Sequence, residues 1–260
     1  LAFLLRRKRT VLTIHDLVTI HRLKGFQRLL SIFFWYWLPI KRVRIVTVIS
    51  EFTKKDLLRH INIHPNKIRV IYDPVSPVFQ PVLKEFNQHR PVILQFNTGK
   101  HKNLERVAEA LKSISCHLRI IGKLDNEQQL ALQKSEIDYS VVSSITDEEV
   151  LDEYRCCDLL VLASTFEGFG LPIVEAQATG RPVVTSNLCS MPEVAGHAAC
   201  LVDPYDVASI REGILKIIND HSYRAGLVQS GFENVKRFHP AHIAKEYLRI
   251  YQEISCNVDD

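Results

Sequence analysis

Several patterns that would assign a function at once are missing from this 260-residue sequence. No Gly-x-Gly-x-x-Gly follows an apolar run of strand length, which disfavours a hydride-transferring dehydrogenase. The six cysteines include no Cys-x-x-Cys pair, so a cysteine-based structural zinc is not indicated. Cys116, Cys156, Cys157, Cys189, Cys200 and Cys256 sit mostly in apolar runs. They read as small core residues of a reducing compartment, and Cys156 and Cys157 lack the basic partner that would activate a thiol. No Asp-x-Asp triplet, internal repeat, signal peptide or low-complexity segment occurs. The apolar run at 29–40 is shorter than the roughly 20 residues a spanning helix needs. The net charge of +4 lacks the domain-wide basic excess of a nucleic-acid binder, so no nucleic-acid partner is expected.

What remains is ordinary globular material, 46% hydrophobic and 24% charged, enough for one large core or two modest ones. Val11-Leu12-Thr13-Ile14 reads as a strand with His15-Asp16 at its carboxyl end, where open α/β sheets bind ligands. Strands are expected at 44–49 and 67–72, with Ser50 capping a helix over Glu51–His60. Pro74, Pro77, Pro81 and Pro91 then punctuate a linker. From residue 91 strands and helices alternate without a break. Strands fall at 92–94, 118–122, 158–162, 182–185 and 200–202. Helices follow Gly99, open at a Thr146/Glu149 capping box, and cover Val207–Asn219, 223–238 and 242–254. Such alternation predicts a parallel sheet covered on both faces.

The most informative stretch is Ser164-Thr165-Phe166-Glu167-Gly168-Phe169-Gly170-Leu171-Pro172-Ile173-Val174-Glu175. It reads strand, glycine turn, helix, with Pro172 tolerated in the first turn because its missing N–H would be an orphan there. Gly168 and Gly170 allow close backbone approach to a ligand, and the helix start is an anion site. A carboxylate beside an anion is repelled by it, so Glu167 and Glu175 are read as acceptors for sugar hydroxyls. Gly99, Lys100, His101, Lys102 and Asn103 form a second strand-to-helix loop, whose lysines suit a diphosphate.

Glu167 and Glu175, with Glu-Gly-Phe-Gly-Leu-Pro starting the interval, resemble the Glu-x7-Glu motif of retaining GT-B glycosyltransferases, in particular glycosyltransferase family 4. Asn97-Thr98-Gly99-Lys100-His101-Lys102-Asn103 resembles that family's phosphate loop, and Val48-Ile49-Ser50-Glu51-Phe52-Thr53-Lys54 the end of its first domain. Gly180-Arg181-Pro182-Val183-Val184-Thr185, Met191-Pro192-Glu193-Val194-Ala195-Gly196 and Phe238-His239-Pro240 are similar to it too. The loop is shorter than is usual in the family, and Lys100 stands where an Arg is expected, which leaves Lys102 the better phosphate ligand.

The resemblance implies an α/β, GT-B-like fold of two doubly wound Rossmann-like domains, the first incomplete. Its boundaries would be a partial acceptor-side domain at 1–80, a linker at 81–90, a donor domain at 91–237 and a returning helix at 238–260. About 90 residues before the donor domain is below the usual domain size, so an N-terminally truncated chain is expected. The implied activity is retaining hexosyl transfer from a nucleotide diphosphate sugar to a growing glycan or lipid-linked acceptor, as in bacterial polysaccharide and lipopolysaccharide mannosyltransferases. No cofactor or essential metal is implied. Glu167 would lie against the donor sugar and Glu175 accept from ribose hydroxyls. Gly168, Phe169 and Gly170 would offer backbone amides, or Phe169 would serve packing alone. Val142, Ser143, Ser144 and Ile145 would contact the base by main chain. His15 would be a catalytic contact from the first domain or a structural residue, with Asp16 orienting it or capping the next turn. Run 29–40 is either a core helix with solvated basic ends or a surface for peripheral contact with the inner face of the membrane. A non-catalytic nucleotide-sugar binding fragment and a GT-B nucleotide-sugar 2-epimerase relative are the alternatives.

Overall fold

The computed structural model describes residues 9–256. They separate into two compact units, one comprising the chain up to Pro74 with the segment from Pro240, the other Val75–His239.

The first unit opens with strand β1 (Val11–Ile14) and the short helix α1 (Val18–Arg22). Helix α2 (Gly25–Ser31) passes through a π-helical stretch at Ile32–Trp37 into α3 (Leu38–Arg42). The widened turns end just before Pro39, which has no N–H to give to the helical ladder. Strand β2 (Ile45–Val48), helix α4 (Glu51–His60) and strand β3 (Ile68–Val70) follow. The three strands are parallel in the order β1-β2-β3, with Leu12 opposite Val46 and Val46 opposite Ile68. Ser50 caps α4 as its sequence suggests, its Oγ accepting from Thr53 N at 3.0 Å. Successive β2 side chains serve opposite faces. Val46 and Val48 pack with Leu17, Ile20, Ile40 and Leu57, while Ile45 joins a separate cluster on the other face.

The 25–42 helical stretch is neither wholly core nor wholly free. Ser31, Tyr36, Pro39 and Ile40 are buried, whereas Phe26, Leu29, Phe34 and Trp35 are exposed, Trp35 at 75%. No helix among the described residues is long and apolar enough to cross a membrane.

The second unit holds β4 (Val92–Asn97), α5 (Leu104–Leu111), β5 (His117–Gly122), α6 (Asn126–Ser135), β6 (Asp138–Val142), α7 (Asp147–Cys156) and β7 (Leu159–Leu162). It continues through α8 (Leu171–Ala178), β8 (Val183–Ser186), α9 (Met191–Ala195), β9 (Cys200–Val202), α10 (Val207–Asn219) and α11 (His221–Asn234), the last tightening to a 3-10 turn up to Phe238. Helix α12 (Pro240–Cys256) then rejoins the first unit, where Ile243, Ile250 and Ile254 pack on Ile45 and Ile71. Burying each such side chain is worth about 1.5–3 kcal/mol.

All six strands of the second sheet are parallel, in the order β6-β5-β4-β7-β8-β9. Counted from β4 this is the 3-2-1-4-5-6 order of doubly wound sheets, which bind ligands outside the strand carboxyl ends where the order reverses. The reversal lies between β4 and β7. Leu159, Leu160, Val161 and Leu162 of β7 are all buried, as a strand covered on both faces requires. The prolines between β3 and β4 keep that segment free of helix and strand, and it is tied to the second unit. Asp158, just before β7, accepts from Lys84 Nζ, from Asn87 N and, at 2.8 Å, from Val92 N.

Several elements differ from the sequence reading. Helices α6 and α9 and strand β6 have no counterpart in it, and the helix expected over 223–238 starts two residues earlier, where Asp220 accepts from Tyr223 N. Cys156 is exposed and not core, because consecutive residues at the end of α7 point about 100° apart. Cys157 is buried, and that burial pushes its thiol up to about 12. Cys116 and Cys200 are buried as expected, Cys189 is partly so, and Cys256 faces solvent.

Candidate functional site

The loop after β4 is built to hold one lysine inward and one outward. A 3-10 turn at Lys100–Lys102 is closed by Lys102 N donating to Gly99 O at 2.9 Å. Asn103 follows in the left-handed conformation, φ 62°, which asparagine tolerates better than most residues. Its side chain is wholly engaged. Nδ2 donates to Ala163 O at 2.9 Å and Pro204 O at 2.7 Å, while Oδ1 accepts from Arg106 Nη1. One amide thus joins the loops after β4, β7 and β9. Thr165 N adds a second tie, donating to His101 O at 2.8 Å.

Lys102 is buried, and Gln95 Nε2 holds its carbonyl at 3.1 Å. Its Nζ lies 2.6 Å from Oε1 of Glu167, with the two side chains 8% and 12% exposed. Lys100 projects into solvent and pairs with Glu127 Oε2 on α6 at 2.6 Å, a contact that raises its pKa. The two lysines of the loop therefore occupy unlike environments.

The loop after β7 presents Glu167, Gly168, Phe169 and Gly170 at the start of α8. Phe169 is buried, its ring edge-on to Phe238 with centroids 5.6 Å apart, so its side chain packs. Gly170 caps α8 with φ 99°, and Ser190 Oγ sits 2.9 Å from the carbonyls of both Glu167 and Phe169. The turn thereby carries its glutamate at the positive end of a helix. Glu175, in the second turn of α8, is half-buried and accepts from Tyr154 OH at 2.7 Å. Burial raises its pKa, the Tyr154 hydrogen bond opposes that shift, and the Asp147 charge adds to it.

The remaining predicted residues are dispersed. Val142 ends β6, Ser144 has φ 59°, and Ile145 precedes the Thr146 cap of α7, all at the carboxyl edge of the same sheet. His15 belongs to the first unit, where its Nδ1 lies 3.9 Å from Asp73 Oδ2. Asp16 caps the turn into α1, accepting from Val18 N at 2.9 Å. Two residues that sequence reasoning passed over support the site, Tyr154 and Ser190. Tyr154 is the only aromatic in a polar helix, and a buried tyrosine needs a partner for its hydroxyl. Among the described residues, His21, Asp56 and His60 of the first unit are the one group of three or more such side chains with metal-ligand atoms within 4.8 Å of one another. His21 Nε2 and Asp56 Oδ2 are hydrogen-bonded at 2.7 Å.

Residues 82–234 match the family profile described as glycosyl transferases group 1, and residues 1–79 match that of glycosyltransferase family 4. The chain belongs to the glycosyl transferases group 1 family. Among the relatives of this group 1 chain, O-antigen chain mannosyltransferase B of Escherichia coli is 28% identical, over 80% of the chain and 60% of that protein. The serotype-specific mannosyltransferase WbdA of Escherichia coli is 24% identical, over 94% of the chain and 34% of its own length. The chain thus spans less than two thirds of these curated relatives. Sucrose-phosphate synthase from Thermosynechococcus elongatus superposes with a TM-score of 0.81 at 20% identity, covering 95% of the chain and 68% of that structure. Anabaena Alr3699/HepE, in complex with UDP and glucose, superposes with a TM-score of 0.78 at 17% identity, covering 93% and 71%. The group 1 chain therefore has the two-domain, Rossmann-like GT-B fold.

Proposed function

We propose that the chain is part of a retaining glycosyltransferase that moves a hexose from a nucleotide diphosphate sugar to a growing glycan or lipid-linked acceptor. The observation that carries this reading is the meeting of Lys102, Glu167 and the amino end of α8 where the sheet order reverses. The matched mannosyltransferases and the neighbour crystallised with UDP and glucose support it.

In this reading the donor's diphosphate lies over the loop after β4 and against the start of α8. Lys102 and the positive end of α8 oppose the charge that builds on the leaving phosphate. Fixed positive groups of this kind are commonly the largest catalytic contribution. No step in it calls for a metal. Glu167 faces the transferred sugar and Glu175 accepts from the ribose. Lys100 draws the phosphates in from outside, and Gly99, Gly168 and Gly170 keep side chains out of their way. Asn103 sets the loop that presents Lys102. The backbone around Ile145 contacts the base, residues 91–237 form the donor domain, and His15 is the catalytic candidate carried by the first unit.

The exposed aromatic face of the 25–42 helical stretch carries the second part of the reading. Phe34 and Trp35 are exposed in a stretch that ends in the exposed Lys41 and Arg42, a combination suited to peripheral contact with anionic lipid at the cytoplasmic face of a membrane. The test of the central proposal is whether labelled sugar leaves a nucleotide donor only when an acceptor is supplied. Acceptor-independent change of the sugar would favour an epimerase relative. Tight nucleotide binding without any turnover would favour a binding module.

A further inference from the structure

Tyr154 is among the most completely buried side chains of the chain, yet it carries a polar hydroxyl. Its ring stands edge-on to Phe79 at 5.4 Å and tilted against Phe96 at 5.7 Å. Its carbonyl accepts from Arg181 Nε at 2.8 Å, and the same guanidinium reaches Arg155 O at 3.1 Å. Arg181 therefore ties down the end of α7, while the ring packs on Phe79 and Phe96. A phenol has one hydrogen to donate. Pro172 O lies 3.5 Å away and Glu175 Oε2 only 2.7 Å, so the hydrogen goes to the carboxylate. Glu175 Oε1 makes no hydrogen bond among the described residues. A rigid donor thus fixes one oxygen of a half-buried carboxylate and leaves the other available.

We infer that Tyr154 is a positioning residue that holds Glu175 in the orientation in which it accepts from the ribose of the bound nucleotide. The inference rests on the reading of Glu175 as the ribose acceptor. Without the hydroxyl, the carboxylate rotates about its last side-chain bond and the ribose contact loses its preset geometry. A charge-assisted hydrogen bond that must be re-formed at each binding event loses part of its worth, and an effect of about tenfold in affinity is expected.

The experiment is calorimetric titration of the folded chain with GDP and with UDP, repeated with the matching 2′,3′-dideoxy diphosphates. Tyr154→Phe keeps the ring between Phe79 and Phe96 and removes only the hydroxyl. It should weaken the ribose nucleotides about tenfold and leave the dideoxy analogues within about twofold of the parent. Equal losses for both ligand types would mean that Tyr154 merely supports the fold, and would overturn the inference. Glu175→Ala separates the underlying reading. If it binds ribose nucleotides as the parent does, the ribose assignment itself fails. If it weakens them while Tyr154→Phe does not, only the positioning role fails. Should Tyr154→Phe not fold, adding it to Glu175→Ala removes the uncompensated carboxylate. That double variant should bind as Glu175→Ala alone does, and a further loss of affinity would again overturn the role.

Discussion

Lys102 Nζ and Glu167 Oε1 sit 2.6 Å apart with both side chains nearly withdrawn from solvent. Removing one partner of such a pair leaves the other charge uncompensated, which costs more than the pair itself contributes. A diphosphate entering the loop after β4 would compete with Glu167 for the same ammonium. In the proposed reading, displacement would free the glutamate for the sugar, and the ion pair would hold the place of the ligand's charge.

The two loop lysines should accordingly behave differently. Lys102→Ala is expected to weaken GDP or UDP by about one to two decades, while binding of the free nucleoside changes little. Lys100→Ala, which breaks only a solvent-exposed pair with Glu127, should leave melting temperature unchanged and affinity much less affected. Calorimetry on both variants decides the matter, and equal losses from the two would remove Lys102 from its assigned place.

Glu175→Gln should lower nucleotide affinity by about tenfold or more, yet raise the melting temperature at neutral pH. Burial raises the carboxyl's pKa in the folded chain, so the folded state is penalised for keeping it ionised. That penalty is full above the raised folded pKa and fades as pH falls through it toward the unfolded value. The thermal advantage of Gln should therefore shrink on acidification. Melting curves across pH 4–8, with a gain that grows toward acid pH, would contradict the assigned sign.

Gly122, at the end of β5, has φ +139°, and a Cβ there would lie 2.0 Å from Asn97 O. Gly122→Ala must therefore push β5 away from β4, and a loss of about 3 kcal/mol or more is expected. Urea unfolding is the check. A loss below about 1 kcal/mol would show that the strands part more easily than their pairing suggests.

The aromatic face of the 25–42 helical stretch should carry the chain onto vesicles of phosphatidylcholine with phosphatidylglycerol, and less onto phosphatidylcholine alone. Replacing Phe34 and Trp35 with Ser should abolish cosedimentation without changing nucleotide affinity. Retention of vesicle binding by that variant would assign the contact elsewhere.

The strand–turn–helix from Leu159 to Ala178 was legible because local signals agree along it. An apolar run, two glycines, a first-turn proline and buried alanines all demand the same backbone. Helix α6 offered no such agreement: Leu132 is its only buried apolar residue, while Gln128 and Ser135 are buried beside it. What holds it is the Asp125–Gln128 capping box and a reciprocal amide pair between Gln128 and Asn97, 31 residues apart. Strand β6 lies at a sheet edge and mixes Asp138, Tyr139 and Ser140 with two valines, so its apolar alternation is blurred. The Glu-x7-Glu spacing pointed to Glu167 and Glu175, but the partner that orients Glu175 lies 21 residues earlier on another helix. Contacts of that kind depend on how helices pack, and no period or motif announces them. The unlike surroundings of Lys100 and Lys102 were hidden for the same reason.

Asn103 has a consequence for anyone who would re-engineer this chain. Its amide joins the backbone at Ala163 and Pro204, so three loops far apart in sequence form one mechanical part. Loop exchange with a relative is often treated as modular, one segment at a time. Here a graft of the segment after β4 alone would arrive with an amide cut to fit carbonyls that the recipient does not present. Chimaeras that carry all three segments together should fold and bind nucleotide, whereas single-loop grafts should be recovered poorly. The interchangeable piece is the knot around residue 103, and recombination breakpoints belong in the helices outside it.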